Sequence, residues 1–208
     1  MGSTQPLGAG AAWTDEALLR AVRTRLAAPP LTAGARALSF AGEHGALWIA
    51  GGLAASSVDR ARRGRWLRAT AVVAGAHLTS MAVKRVVRRP RPQLEGWPPP
   101  ARTAGRHSFP SSHAASAAAA ALVYGRVLPW PPAVALGAGA AAMCLSRLVV
   151  GVHYPTDVLA GAVLGALSAG AGRDWVERGR TPTAAAVAAA GAATTAQTSP
   201  GGAATRPL

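Results

Sequence analysis

This sequence predicts an all-α fold, a transmembrane bundle of about five to six helices. Three observations point there. Five runs without Asp, Glu, Lys or Arg recur along the chain, at residues 44–58, 69–83, 111–125, 127–146 and 158–172. Each run has the length of a helix rather than of a strand. The charge falls between the runs, in blocks dominated by arginine.

Taken in order, residues 1–12 are expected to be disordered. Thr14-Asp15-Glu16 reads as a helix start, with a capping hydroxyl and an acidic first turn. Leu18, Leu19, Val22 and Leu26 then recur at helical spacing, with Arg20, Arg23 and Arg25 among them. That is a short amphipathic helix, lying on a membrane interface or on an ordinary surface, and Pro29-Pro30 should end it. The first apolar run follows. Residues 59–68 then carry five arginines, and the second run ends at Lys84. Several runs are shorter than the roughly 20 apolar residues of a full span. Flanking residues extend them, and arginines at their ends can snorkel. A soluble all-helical core is the competing reading, and the Ala-rich runs suit it.

Residues 93–109 form a loop with Pro, Gly and Arg, in which Trp97 is an interfacial anchor or simply a loop residue. Residues 181–208 are rich in Ala, Thr and Pro. A sixth span over 183–196 is one reading, and a disordered tail is the expected one. The expected organisation is an N-terminal tail with its short helix over 1–43, a core over 44–175 and a C-terminal tail over 176–208.

The net charge is +14, and Lys84 is the only lysine among 22 basic residues. Such an excess suits nucleic acid, an anionic membrane surface or an anionic substrate. A nucleic-acid binder would line its arginines along one continuous polar face with stacking aromatics. Here they stand between apolar runs, so no nucleic-acid partner is expected. The single Cys144 cannot form an intrachain disulfide. By the positive-inside rule, the 59–68 loop and the segment holding Arg173, Arg178 and Arg180 are cytoplasmic. Counting runs then brings 84–92, 110–113 and 147–153 together on the opposite face. The basic block at 84–91 breaks the rule there, which anion binding would explain.

Residues 146–157 hold one arginine, one histidine and one aspartate in an apolar setting. Arg147 precedes His153 by six positions and Asp157 follows it by four. Pro155 suits the first turn of a helix, which puts Asp157 near that helix start and near His153. A carboxylate there can orient one imidazole nitrogen and leave the other basic. A buried Arg–Asp pair with an incidental histidine fits the same residues. Pro110-Ser111-Ser112-His113 reads as the start of another helix, whose free N–H groups would face an anion. Lys84, Arg91 and Arg147 supply positive charge, the arginines with bidentate geometry. His77, inside the second run, reads as a packed interhelical histidine, and Arg85, Arg88 and Arg89 as interface charges. Arg106 and His107 lie close enough in sequence to Pro110-Ser111-Ser112-His113 to touch a substrate.

Lys84 with Arg91-Pro92, Pro110-Ser111-Ser112-His113, and Arg147 with His153 and Asp157, in that order, resemble the three signature motifs of the type 2 phosphatidic acid phosphatase (PAP2) superfamily. The resemblance covers about residues 44 to 172 and departs at Ser112, where the family usually has glycine. It implies a PAP2/haloperoxidase-like helical core and a metal-independent phosphatase without a cofactor. His153 would attack phosphorus to form a phosphohistidine, Asp157 would orient it, and His113 would protonate the leaving oxygen. Lys84, Arg91, Ser111, Ser112 and Arg147 would bind phosphate. The 151–161 run is similar to that of bacterial cell-envelope members acting on polyprenyl-linked phosphates. A lipid phosphate substrate and a multi-pass location in the plasma membrane are the resulting expectations, with the site on the non-cytoplasmic face. Phosphatidic acid and phosphatidylglycerol phosphate are alternative substrates. A soluble acid phosphatase or haloperoxidase of the same superfamily is the alternative architecture. The sequence sets no oligomeric state.

Overall fold

In a computed structural model describing residues 9–26, 28–96, 99 and 105–178, the chain forms eight α-helices. They are α1 (Ala9–Arg25), α2 (Pro29–Ala41), α3 (Ala46–Val58), α4 (Arg63–Val87), α5 (Ser112–Gly125), α6 (Trp130–Val149), α7 (Pro155–Ala171) and the short α8 (Arg173–Glu177). The five apolar runs become α3 to α7. No strand occurs among the described residues; a lone bridge joins Pro90 to His107. Trp97 and residues 183–196 lie outside the described residues.

Two early expectations change. α1 starts at Ala9 rather than at Thr14, because the alanines ahead of Thr14 are strong helix formers. Pro29-Pro30 do not merely stop a helix. They open α2 at its first two positions, where a missing N–H costs nothing and φ is already set.

Alanine sets the centre of the bundle. Ala114, Ala115, Ala117, Ala119 and Ala120 of α5 are wholly buried, so α5 presents small side chains on nearly every side. α4, α6 and α7 pack directly on it. The approach of α7 is closest at two glycines. A Cβ on Gly161 would stand 2.3 Å from the Ser111 carbonyl oxygen, and one on Gly165 2.2 Å from that of Ala115. Only glycine permits that spacing, and the spacing brings the start of α7 against the start of α5.

Larger side chains fill the rest. Val73, Val123 and Met143 are fully buried, each worth about 1.5–3 kcal/mol. The Tyr124 hydroxyl lies 2.9 Å from the Trp48 carbonyl and 3.1 Å from the Thr70 hydroxyl, tying α3 and α4 to α5. The arginine block before and within α4 holds one end of the bundle. Arg62 and Arg65 donate to the carbonyls of Val127 (2.7 Å) and Arg126 (2.9 Å) in the α5–α6 turn. Arg62 also pairs with Asp59, which accepts from the Trp66 indole at 3.0 Å. At a rise of 1.5 Å per residue, Lys84 stands about 30 Å from Arg65 along α4.

Candidate active site

The far end of α4, the start of α5, the end of α6 and the start of α7 meet around one cavity of about 210 Å³. Lys84, Arg91, Ser112, His113, Arg147 and His153 all line it. Lys84 and His153, 69 positions apart in sequence, thus line one cavity, because α5 runs antiparallel to both α4 and α6.

His153 sits in the turn between α6 and α7, 2 % exposed. Its Nδ1 faces Asp157 Oδ2 at 3.5 Å, a loose contact, and its Nε2 is 3.5 Å from Arg91 Nη1. Asp157 is wholly buried. Its Oδ2 accepts the Tyr154 N–H at 2.9 Å, closing a capping box at the start of α7. Burial pushes the His153 imidazole down to about 3; Asp157 opposes the fall, and the charges of Arg91, Arg147 and Lys84 add to it. The ring is therefore neutral near pH 7. With its proton on Nδ1, toward Asp157, the lone pair is on Nε2.

The cations differ in how they are held. Lys84 Nζ donates to the carbonyls of Pro110 (2.8 Å) and Ser108 (3.1 Å), pinning the segment that leads into α5. Arg91 donates to the carbonyls of Gly105 and Val152, both at 2.8 Å. Arg147 is 3 % exposed, and its Nε and Nη1 have no hydrogen-bond partner. The buried Ser112 hydroxyl is likewise unpartnered. Unsatisfied buried donors are costly, and an anion in the cavity can satisfy these three, which belong to two residues that line it. The His113 Nε2 stands 3.0 Å from the Ser39 carbonyl, which makes Nε2 the protonated nitrogen and leaves Nδ1 to exchange a proton.

Ser111 takes another place. Its N–H donates to the Asp157 carbonyl at 2.9 Å, its hydroxyl caps α5 through the Ala114 N–H, and it does not line the cavity. Only the N–H groups of Ser112 and His113 remain of the three expected to face an anion. His107 does not reach the cavity either; its neighbour Gly105 does.

Sequence reasoning missed five lining residues, Glu43, His44, His77, Met81 and Gly105, which carry no motif of their own. It also misjudged Arg89. Arg88 ends α4 at φ 53°, in the left-handed region that turns the chain. Arg89 thereby points inward, with Nη1 2.9 Å from Asp157 Oδ1 and Nη2 2.8 Å from Asp15 Oδ2. Arg85 and Arg88 stay exposed, as interface charges would. Nothing in a run of arginines marks the one that turns in.

The PAP2 superfamily model matches residues 65–180. Decaprenylphosphoryl-5-phosphoribose phosphatase from Mycolicibacterium smegmatis is 44 % identical over 148 residues, 71 % of this chain and 81 % of the relative. The protein of the same description from Mycobacterium tuberculosis is 41 % identical over 167 residues, 80 % of this chain and 92 % of the relative. Among solved structures, a transmembrane PAP2 type phosphatidylglycerolphosphate phosphatase from Bacillus subtilis superposes with a TM-score of 0.69 at 23 % identity, covering 83 % of this chain and 89 % of that one. LpxE from Aquifex aeolicus does so with a TM-score of 0.60 at 19 % identity, covering 76 % and 93 %.

Proposed function

This chain belongs to the PAP2 superfamily and is a phosphatase, and from that premise we propose that it hydrolyses the phosphomonoester or pyrophosphate of a membrane lipid, a polyprenyl-linked one first. Two relatives named as decaprenylphosphoryl-5-phosphoribose phosphatases support that substrate class. The observation that carries the reading is the buried Arg147, whose Nε and Nη1 have no hydrogen-bond partner, on one cavity with the neutral His153. His153 Nε2 attacks phosphorus and Asp157 steadies the ring; His113 in its imidazolium form, with Nε2–H kept on the Ser39 carbonyl, gives its Nδ1 proton to the leaving oxygen and regains one from the water that then releases phosphate from His153. Lys84, Arg91 and Arg147, with the Ser112 hydroxyl and the first N–H groups of α5, hold the phosphoryl oxygens.

The protein, purified in detergent, should release phosphate from decaprenylphosphoryl-5-phosphoribose faster than from phosphatidic acid, phosphatidylglycerol phosphate or undecaprenyl pyrophosphate. Because the cations carry the charge, EDTA should leave the rate intact, and vanadate should inhibit as a mimic of pentacoordinate phosphorus. A rate lost to EDTA and restored by a divalent ion would overturn the cation-only mechanism. Equal, negligible rates on all four lipids would overturn the substrate class.

The membrane setting rests on the surface. Leu53, Leu78, Leu145, Leu159, Val163 and Leu167 are between 45 % and 69 % exposed, on the outward sides of α3, α4, α6 and α7. A face so apolar suits lipid better than water. Trp130–Val149 is the one helix among the described residues that is long and apolar enough by itself to cross a bilayer. α4 is longer but begins in arginines, and the shorter helices pack around the buried α5. We place the arginine block of 59–68 in the cytoplasm and the cavity, at the other end of α4, on the opposite face. The core is taken as residues 44–175. A reporter fused after Arg63 should then read inside and one in the 95–105 loop outside. The reverse pattern would move the site to the cytoplasmic face.

A further inference from the structure

α1 reaches the candidate site through one carboxylate. Asp15, Leu19 and Arg23 form its buried stripe, at 3 %, 0 % and 8 % exposure, one helical turn apart each time. Asp15 Oδ1 accepts the Thr156 N–H at 3.0 Å; Oδ2 accepts Arg89 Nη2 at 2.8 Å and also the Thr156 hydroxyl. Arg89 turns Nη1 to Asp157 Oδ1 at 2.9 Å and to the Thr156 hydroxyl oxygen at 2.7 Å. Its guanidinium also lies 4.1 Å over the Tyr154 ring. The other Asp157 oxygen faces His153. One guanidinium therefore bridges two carboxylates, and the second of them stands behind the imidazole.

We propose that Asp15 and Arg89 are positioning residues for His153, acting through Asp157. The bond from Arg89 to Oδ1 fixes the plane of the Asp157 carboxylate, which aims Oδ2 at Nδ1. Asp15 fixes Arg89 in turn, since a guanidinium with a single partner keeps its rotamer freedom. Charge makes the second carboxylate necessary as well. Arg89 with Asp157 alone is neutral and has little to offer the positive charge that develops on an attacking imidazole. With Asp15 the cluster carries a net −1 on the histidine's side. α1 and α7, from opposite ends of the chain, are thus joined at the residue behind the nucleophile. Nothing in this arrangement touches the reacting phosphorus.

The inference rests on the reading of His153 as nucleophile, and the test keeps the two apart. The full chain in detergent is assayed with p-nitrophenyl phosphate, and Asp15→Asn is expected to lower kcat about 10–100-fold, as loss of an orienting partner does. KM should stay within about twofold, since no phosphate contact is lost. In an Asp157→Asn background the same substitution should add less than about threefold, because the path it acts through is already cut. Arg89→Lys, which keeps the charge but loses the fork, should reproduce the fall in kcat if Asp15→Asn does not fold. Unchanged kcat in both variants, or losses that multiply in full in the double variant, would overturn the proposal and leave Asp15 as a staple for α1. If instead His153→Ala retains turnover, it is the assignment of the nucleophile that fails, whatever the Asp15 variant does.

Discussion

Replacing His153 by alanine is expected to abolish turnover on every phosphate ester, by roughly 10⁶-fold, the scale of losing a covalent nucleophile. The side chain is buried between Asp157 and Arg91, and no other imidazole has a carboxylate of this kind behind it among the described residues. His113→Ala should behave differently. General acid assistance is worth about 10²–10⁴-fold, and an activated leaving group needs little of it. The His113 variant should therefore keep far more activity on p-nitrophenyl phosphate than on a lipid alkyl phosphate, and should still form a phosphoenzyme with the activated ester. Asp157→Asn should fall between the two, because the attacking nitrogen remains and only its tautomer and orientation are disturbed. Acid-labile phosphate trapped on the His153→Ala protein would reverse the assignment and make His113 the attacking group.

Arg147→Met is expected to lower kcat/KM by about 10²–10³-fold, the cost of removing one preorganised donor to the transition state. The same substitution should leave the protein in detergent as stable as before, or more so. Burying an ion costs several kcal/mol unless partners offset it; Nε and Nη1 of Arg147 have no hydrogen-bond partner, and only the charge of Glu43, on the same cavity, opposes that cost. An apolar side chain of similar length removes that cost. Anion binding supplies the control: phosphate or vanadate should raise the unfolding midpoint of the parent protein and do so much less for the variant. A variant that loses stability while keeping its activity would show that Arg147 serves the fold and not the anion. The two predictions separate chemistry from binding, since the His153 variant keeps the cations and should still be protected by phosphate.

The five apolar runs were legible as α3 to α7 because a stretch without charge, of helix length and rich in alanine, has few other ways to satisfy its backbone. Lys84, Arg91, His113, Arg147, His153 and Asp157 were legible as candidates because, taken in order, their motifs resemble the three of the PAP2 superfamily. The middle motif sits at one helix start, whereas the first runs from the end of α4 past the turn at Arg88 and the third joins the end of α6 to the start of α7. That Lys84, Arg91, Ser112, His113, Arg147 and His153 share a cavity depends on packing, and above all on Gly161 and Gly165 letting α7 close on α5. The residues that sequence misjudged are those whose partners are distant. Asp15 meets Thr156 across 141 positions, and its sequence context, an acidic residue near a helix start, suggests a capping role instead. Arg89 differs from Arg85 and Arg88 only because the left-handed turn at Arg88 aims it inward. Ser111 loses its N–H to the Asp157 carbonyl, a bond that exists only once α7 has docked. Sequence by itself determined the five apolar helices α3 to α7 and, through motifs that resemble those of the family, which side chains are candidates for the chemistry. Tertiary structure decided which of those side chains face the cavity and which are held in place behind it, because that choice depends on the close approach of helices far apart in the chain.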